Sequence, residues 1–353
     1  MRTRRGTWGW ITGAVLIGAT LLTWGPLAGR WPQNMALSGL PFLTGVGSER
    51  SPDLERPEED SAFRLGTSTF QTHADFLQAF ALMEKAAEQG NAEAQFNLGV
   101  VYYDGEGMDA NPEAAAAWFR LAAQQEYSPA QVYLGWIYET GEGQVQDFRQ
   151  AAHWYRRAAE AGHPYGDLNL GFLYQRGDGV PQDLALARQH FQKASDADVA
   201  EAHYQLGLLY GNAHGVPLDY ERTYSLMLKA SHHDHPDAIF VLGTMHEMGY
   251  GVPMDGKEAL TWYQIAAQQG HSEAQYILGT AYNFGNHVAR DPITAYFWFG
   301  LAAAQDHEDA KTALKALNTA LKPQEISAAE QKLLNWHQKR LLRRSLPQPS
   351  SSL

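Results

Sequence analysis

Histidine and carboxylate are the chemistry-bearing side chains of this sequence, and they are densest at His232-His233-Asp234-His235, with Asp237 two residues on and His246 further along. Neutral imidazoles and carboxylates suit Zn²⁺ or Ni²⁺. The place of His235, however, is filled again by His163, His271 and His307, so only His232 and His233 are particular to this stretch. The spacing therefore predicts an exposed loop, and no metal is expected. The glycine pairs Gly105/Gly107, Gly141/Gly143, Gly177/Gly179 and Gly249/Gly251 imitate phosphate loops. They lack the Gly-Lys-Ser/Thr ending and follow no strand pattern, so they read as turns. No G-x-S-x-G, H-E-x-x-H or nucleotide fingerprint occurs, and carboxylates are scattered rather than paired. With no Cys there is no thiolate nucleophile or disulfide. The expectation is a non-catalytic chain without a cofactor.

The elements that carry these residues repeat. Leu-Gly recurs every 36 residues, six times: Leu98-Gly99, Leu134-Gly135, Leu170-Gly171, Leu206-Gly207, Leu242-Gly243 and Leu278-Gly279. A fixed period of this length marks stacked supersecondary units. Each period reads as two helices. The first carries A-x-x-x-L-G-x-x-Y, as in Ala94, Leu98, Gly99 and Tyr102, with small and apolar residues on one face. Gly inside a helix costs roughly 1 kcal/mol against Ala, so its recurrence predicts a close helix crossing. After the turn comes Asn111, Asp147, Asp183, Asp219, Asp255 or Asp291, each an expected N-cap, with Pro112 and Pro292 in the following position. The second helix has bulky pairs before small ones, as in Trp118-Phe119 before Ala122-Ala123, Trp154-Tyr155 before Ala158-Ala159 and Trp262-Tyr263 before Ala266-Ala267. At helical spacing these are core residues. Gly90, Gly162 and Gly270 close such helices, and Glu126, Asp198, Asp234 or Asp306 fill the same slot elsewhere. Ala213 and His287 break the turn pattern, which predicts turns of different shape there.

These motifs, in register from about Ala92 to Ala304, resemble the Sel1-like repeat family, a branch of the tetratricopeptide-like superhelices. The resemblance implies an all-α fold: an α/α solenoid, a right-handed superhelix of about six 36-residue helix-turn-helix repeats with terminal capping helices. Asp75 to Gly90 reads as a lone second helix capping the N-terminal end. A final helix from near Pro323 brings Ile326, Leu333, Leu334 and Trp336 to cover the last repeat. The division is residues 1–30 as a signal anchor or signal peptide, 31–72 as a disordered linker, 73–321 as the solenoid, and 322–353 as a capping helix with a basic tail.

Arg2, Arg4 and Arg5 precede an uncharged run from Gly6 to Gly29 flanked by Trp8, Trp10, Trp24 and Trp31. An uncleaved inner-membrane anchor is favoured by the flanking Trp residues, and a cleaved signal by Gly25-Pro26. Either places the solenoid across the membrane from the Arg cluster. The resemblance implies bacterial members and hence the periplasm, anchored or secreted. Net charge is -12, yet residues 1–50 and 322–353 each carry +4, leaving -20 between them. An acidic middle disfavours nucleic acid.

In tetratricopeptide-like stacks the first helices line a concave groove. The resemblance thus implies a partner-binding groove on Phe96, Val100, Tyr103, Trp136, Glu139, Phe172, Arg176 and Leu208. Trp136 and Phe172 are the expected anchors, and their replacement by Ala is expected to spare the fold. The function so implied is a protein-protein interaction scaffold or regulator of the cell envelope that captures a protein or peptide segment. The alternatives are an envelope enzyme (a cell-wall hydrolase or β-lactam-acting enzyme) and a peptidoglycan- or polysaccharide-binding module.

Overall fold

The computed structural model describes residues 73–105, 107–214 and 217–345. The proposed anchor, the linker before residue 73 and the tail beyond residue 345 lie outside them. Among the described residues there are fifteen α-helices and no strand. They are α1 (His73–Glu88), α2 (Ala92–Asp104), α3 (Pro112–Gln124), α4 (Ser128–Thr140), α5 (Phe148–Glu160), α6 (Pro164–Arg176), α7 (Leu184–Asp196), α8 (Ala200–Gly211), α9 (Tyr220–Ser231), α10 (Pro236–Met248), α11 (Gly256–Gln269), α12 (Ser272–Phe284), α13 (Pro292–Ala303), α14 (Glu308–Ala320) and α15 (Pro323–Ser345). Each helix from α1 to α13 packs on the next in sequence, the arrangement of a solenoid.

The recurrent mid-helix glycine has the expected cause. A Cβ on Gly135 would lie 2.6 Å from ring carbons of Tyr155, and Gly99, Gly171, Gly243 and Gly279 meet Phe119, Phe191, Tyr263 and Phe299 in the same way. The aromatic ring of the second helix thus rests on bare backbone of the first. Burying such a ring contributes on the order of 1.5–3 kcal/mol. The crossing is repeated by buried Ala pairs such as Ala122-Ala123 and Ala266-Ala267.

The caps also follow the sequence. Asn111 accepts from the Ala114 N–H, and Asp147, Asp183, Asp219, Asp255 and Asp291 accept from N–H groups of their own first turns. The turn predicted to differ at His287 does not: His287 has φ 57°, the left-handed conformation glycine adopts elsewhere. Ala213 is left-handed too, at φ 56°, although α8 already ends at Gly211. Neighbouring packing imposes the turn, and the residue tolerates it.

At the C-terminal end α15 packs chiefly on α13. Leu333 sits against Gly300, Ile326 joins the last core cluster, and Trp336 lies edge-on to Phe297 and Trp298. Leu334 is a correction: it stays half in solvent, on the helix face turned away from α13.

Candidate functional site

The α2, α4 and α6 helices place several of the expected groove residues side by side. From α2, Tyr103 lies edge-on to Trp136 of α4, with ring centroids 5.1 Å apart. Its hydroxyl donates to Glu142, in the turn after α4. One turn beyond Trp136, Glu139 is buried to 3 % exposure. A buried carboxylate must be paired or protonated. Here it accepts from the Tyr155 hydroxyl at 2.8 Å and from the Arg176 guanidinium, which arrives from α6 in the next repeat. Arg176 also binds Asp178 at 2.7 Å and lies 5.8 Å from the centroid of the Phe172 ring. Burial pushes the Glu139 carboxyl above its usual range, while Arg176 and the Tyr155 hydroxyl oppose that shift. The same burial, with the Glu139 charge added, pushes the Tyr155 phenol well up.

The remaining expected residues sit differently. Phe96 lies among the rings of Phe119, Tyr127 and Tyr133, at 5.7, 5.5 and 5.2 Å, within the core of the first full repeat. Val100 is half-buried against that core, and Leu208 is half-buried against the cluster around Met227 and Leu242. Trp136 and Phe172 are 7 % and 5 % exposed, so they also carry packing. The expectation that their truncation spares the fold is therefore corrected: removing a buried aromatic costs about 3–5 kcal/mol.

The histidine-rich stretch resolves into separate contacts. His235 caps α10, its Nδ1 accepting from the Ala238 N–H, which leaves the ring proton on Nε2 facing Glu201 at 2.8 Å. His271 and His307 repeat the arrangement with Asp237 and Glu273, at 3.2 and 2.9 Å. Each ring stacks on an aromatic of the preceding repeat: Tyr204, Phe240 and Tyr276. His235 is thus a joint between repeats as well as a local cap. His233 turns instead to Asp198. Among the described residues no three His, Asp or Glu side chains converge to hold a metal ion.

Sequence reasoning did not single out Ser195, His203 and Asp198. His203 Nδ1 is 2.7 Å from the Ser195 hydroxyl, and its Nε2 is 2.9 Å from Asp198. The residue types are those of a nucleophilic relay, but the exposure is inverted. Ser195 is 5 % exposed and His203 1 %, while the Asp198 side chain is 71 % exposed. No acyl group reaches a sealed hydroxyl, so the set holds α7 to α8. Also missed was the clasp by which Gln95, Gln131 and Gln275 donate to the Ala87, Ala123 and Ala267 carbonyls of the preceding helix. Its signal is Gln recurring three residues before Leu-Gly.

The family model for the Sel1 repeat matches seven consecutive segments: residues 61–91, 92–127, 128–163, 164–199, 200–235, 236–271 and 272–307. The half-repeat before Ala92 counts as the first of these. Among solved structures, a protective antigen present in uropathogenic Escherichia coli strains and displaying an SLR fold is 31 % identical, with a TM-score of 0.65. That match covers 75 % of this chain and 56 % of the antigen, so the chain spans little more than half the antigen's length. A Sel1 repeat protein from Oxalobacter formigenes is 30 % identical with a TM-score of 0.59, covering 61 % of this chain and 89 % of its own. No curated protein matches the chain. Repeats in unbroken register, each ring seated on its glycine, and this run of matches together place the chain in the Sel1 repeat family, whose solenoids generally act as protein-interaction scaffolds.

Proposed function

We propose that this chain binds a segment of a partner protein along the face shared by α2, α4, α6 and α8, without bond chemistry, and that it does so in the bacterial cell envelope. One observation carries the binding reading. On three successive first helices Tyr103 lies edge-on to Trp136, and one turn beyond Trp136 Glu139 pairs with Arg176, whose guanidinium lies over the Phe172 ring. Aromatic and Arg side chains dominate binding energy at such surfaces. Val100 and Leu208 add half-buried apolar side chains. The envelope reading rests on Arg2, Arg4 and Arg5 ahead of a long uncharged run. The kinship with a protective antigen is in keeping with it. No helix among the described residues is long and apolar enough to cross a membrane, and the run at 6–29 lies outside them.

Because alanine at Trp136 or Phe172 also unsettles the core, the test uses a photo-crosslinking residue. It is placed at Val100 and Leu208 on the first helices, and at Leu121 and Ile265, exposed on the second helices. The expected result is one crosslinked species shared by Val100 and Leu208 and missing from Leu121 and Ile265. Crosslinking from the second helices alone sinks the reading. Membrane fractionation with N-terminal sequencing checks the envelope part; a chain recovered wholly from the cytosol overturns it.

A further inference from the structure

The Glu139 arrangement has a second version three periods along the chain. In place of Glu139 and Tyr155 stand Glu247 and Tyr263, and the Tyr263 hydroxyl donates to Glu247 at 2.6 Å. Of the six repeats, only these two have Glu at that position of the first helix, and only these two have Tyr rather than Phe or Met beneath it. The cation is not repeated. The position of Arg176 is taken by Phe284, which is 65 % exposed. Arg290, in the following turn, is turned to the Asn283 carbonyl. Among the described residues Glu247 has the Tyr263 hydroxyl as a hydrogen-bond partner and no ion-pair partner, and it stays in solvent.

Exposed apolar side chains stand at the neighbouring register positions. Met248 is 41 % exposed and Met254, in the turn that follows α10, is 73 % exposed. The corresponding positions in the second repeat are Thr140 and Gln146, both polar. Exposed Met and Phe beside one unpaired carboxylate match an arginine in both its parts. The guanidinium pairs with carboxylate and stacks on aromatic faces, and the aliphatic stem covers apolar surface. The chain itself shows the fit, since Arg176 already makes that bond to Glu139 from the adjacent repeat.

We propose that Glu247, with Met248, Met254 and Phe284, is a docking site for an arginine side chain on a partner protein. It lies on α10 to α12, apart from the α2 to α8 face, and does not depend on that face being used. The occupant is argued from the internal Arg176 and from charge: the stretch between residues 51 and 321 carries a net -20.

The test uses the full chain and two peptides, acetyl-Gly-Leu-Arg-Leu-Gly-amide and the same peptide with citrulline for arginine, followed by NMR titration. The arginine peptide is expected to bind about ten-fold more tightly than the citrulline peptide. Glu247→Gln is expected to erase that difference, and Leu121→Ala, an exposed change on α3, to leave it unchanged. Phe284→Arg supplies the cation in cis, so it is expected to block the peptide and raise Tm, with no rise when Glu247→Gln is also present. Equal affinity for the two peptides, no binding of either, or a Phe284→Arg gain in Tm that survives Glu247→Gln overturns the proposal. None of these outcomes bears on crosslinking from Val100.

Discussion

Glu139 and Glu247 occupy the same place in two repeats and accept from equivalent hydroxyls, those of Tyr155 and Tyr263; their chief difference is the side chain that the next repeat brings. At Glu139 the next repeat contributes Arg176, and the carboxylate is closed over. At Glu247 the next repeat contributes Phe284, and the carboxylate stays in water. Burial shifts Glu139 upward, whereas Glu247 keeps solvent on one side. A solenoid can thus keep one local architecture and turn it from a joint between repeats into an open surface by changing a few side chains, among them the one the adjoining unit delivers. That follows from stacking: each repeat completes the surroundings of its neighbour.

The sharpest way to break this comparison is Arg176→Ala. It leaves a buried carboxylate without its cation, and the expected loss is about 2–4 kcal/mol at pH 7.5, below the value for a fully sealed pair because Arg176 remains partly exposed. The sign with pH follows from Glu139. Its folded-state pKa is raised, so the folded form holds its proton longer than the unfolded chain does, and stability falls as pH rises from the ordinary Glu range through the raised value. Removing Arg176 takes away an opposing influence and widens that window. Urea titrations are expected to show the Arg176→Ala deficit shrinking from pH 7.5 to pH 5; a deficit independent of pH contradicts the burial argument. Glu247→Gln, by contrast, is expected to change stability by less than about 0.5 kcal/mol.

Gly135→Ala probes the floor of the closed site. The added Cβ drives Tyr155 off its seat and away from Glu139, at an expected cost of about 1–3 kcal/mol by thermal denaturation. Gly207→Ala comes too close only to the Met227 Cε, the movable end of a flexible chain, with Leu226 Cβ at ordinary contact distance, and the helix gains about 1 kcal/mol in propensity. It is expected to be near neutral. If both substitutions cost the same, ring seating is not what fixes the crossing. Tyr155→Phe is expected to cost about 1–2 kcal/mol, since it strips a buried acceptor of its donor. Tyr263→Phe is expected to cost less, because water replaces the hydroxyl at Glu247; circular dichroism melts of the pair decide.

A small effect also belongs to the histidine joints. His271→Asn keeps a cap on α12 but loses the stack on Phe240 and the bond to Asp237, a partly exposed pair worth about 0.5 kcal/mol. The His271 hydrogen bond holds the Asp237 carboxyl below its usual range. The stability this confers is present above the ordinary Asp value and is lost as pH falls through the lowered one. Comparing melts of wild type and His271→Asn at pH 6 and pH 3 is expected to show the difference narrow in acid.

Much of this was legible in the residues. Leu-Gly at a fixed period, Asn or Asp before each second helix and small residues after paired bulky ones specify local conformation, and local conformation depends on near neighbours in sequence. The candidate site was legible only in part. Trp136, Glu139 and Arg176 were singled out, but Tyr155 read as another core aromatic. The pairing of Glu with Tyr at the same offset in two repeats was the signal, and it shows only when the repeats are laid over one another. His235 read only as one of a recurring set; its cap bond spans three residues, whereas its bond to Glu201 spans nearly a whole repeat.

The sequence alone determined the repeat, the caps, the glycine-backed crossings and the acidic balance, because each rests on residue type and on spacing within one helical hairpin. Only the tertiary structure decided that Glu139 is closed and Glu247 open, that Phe96 belongs to the core, and that Ser195 is sealed from substrate. Those outcomes depend on which side chain the next repeat delivers to a given point in space, and on how much water that leaves behind.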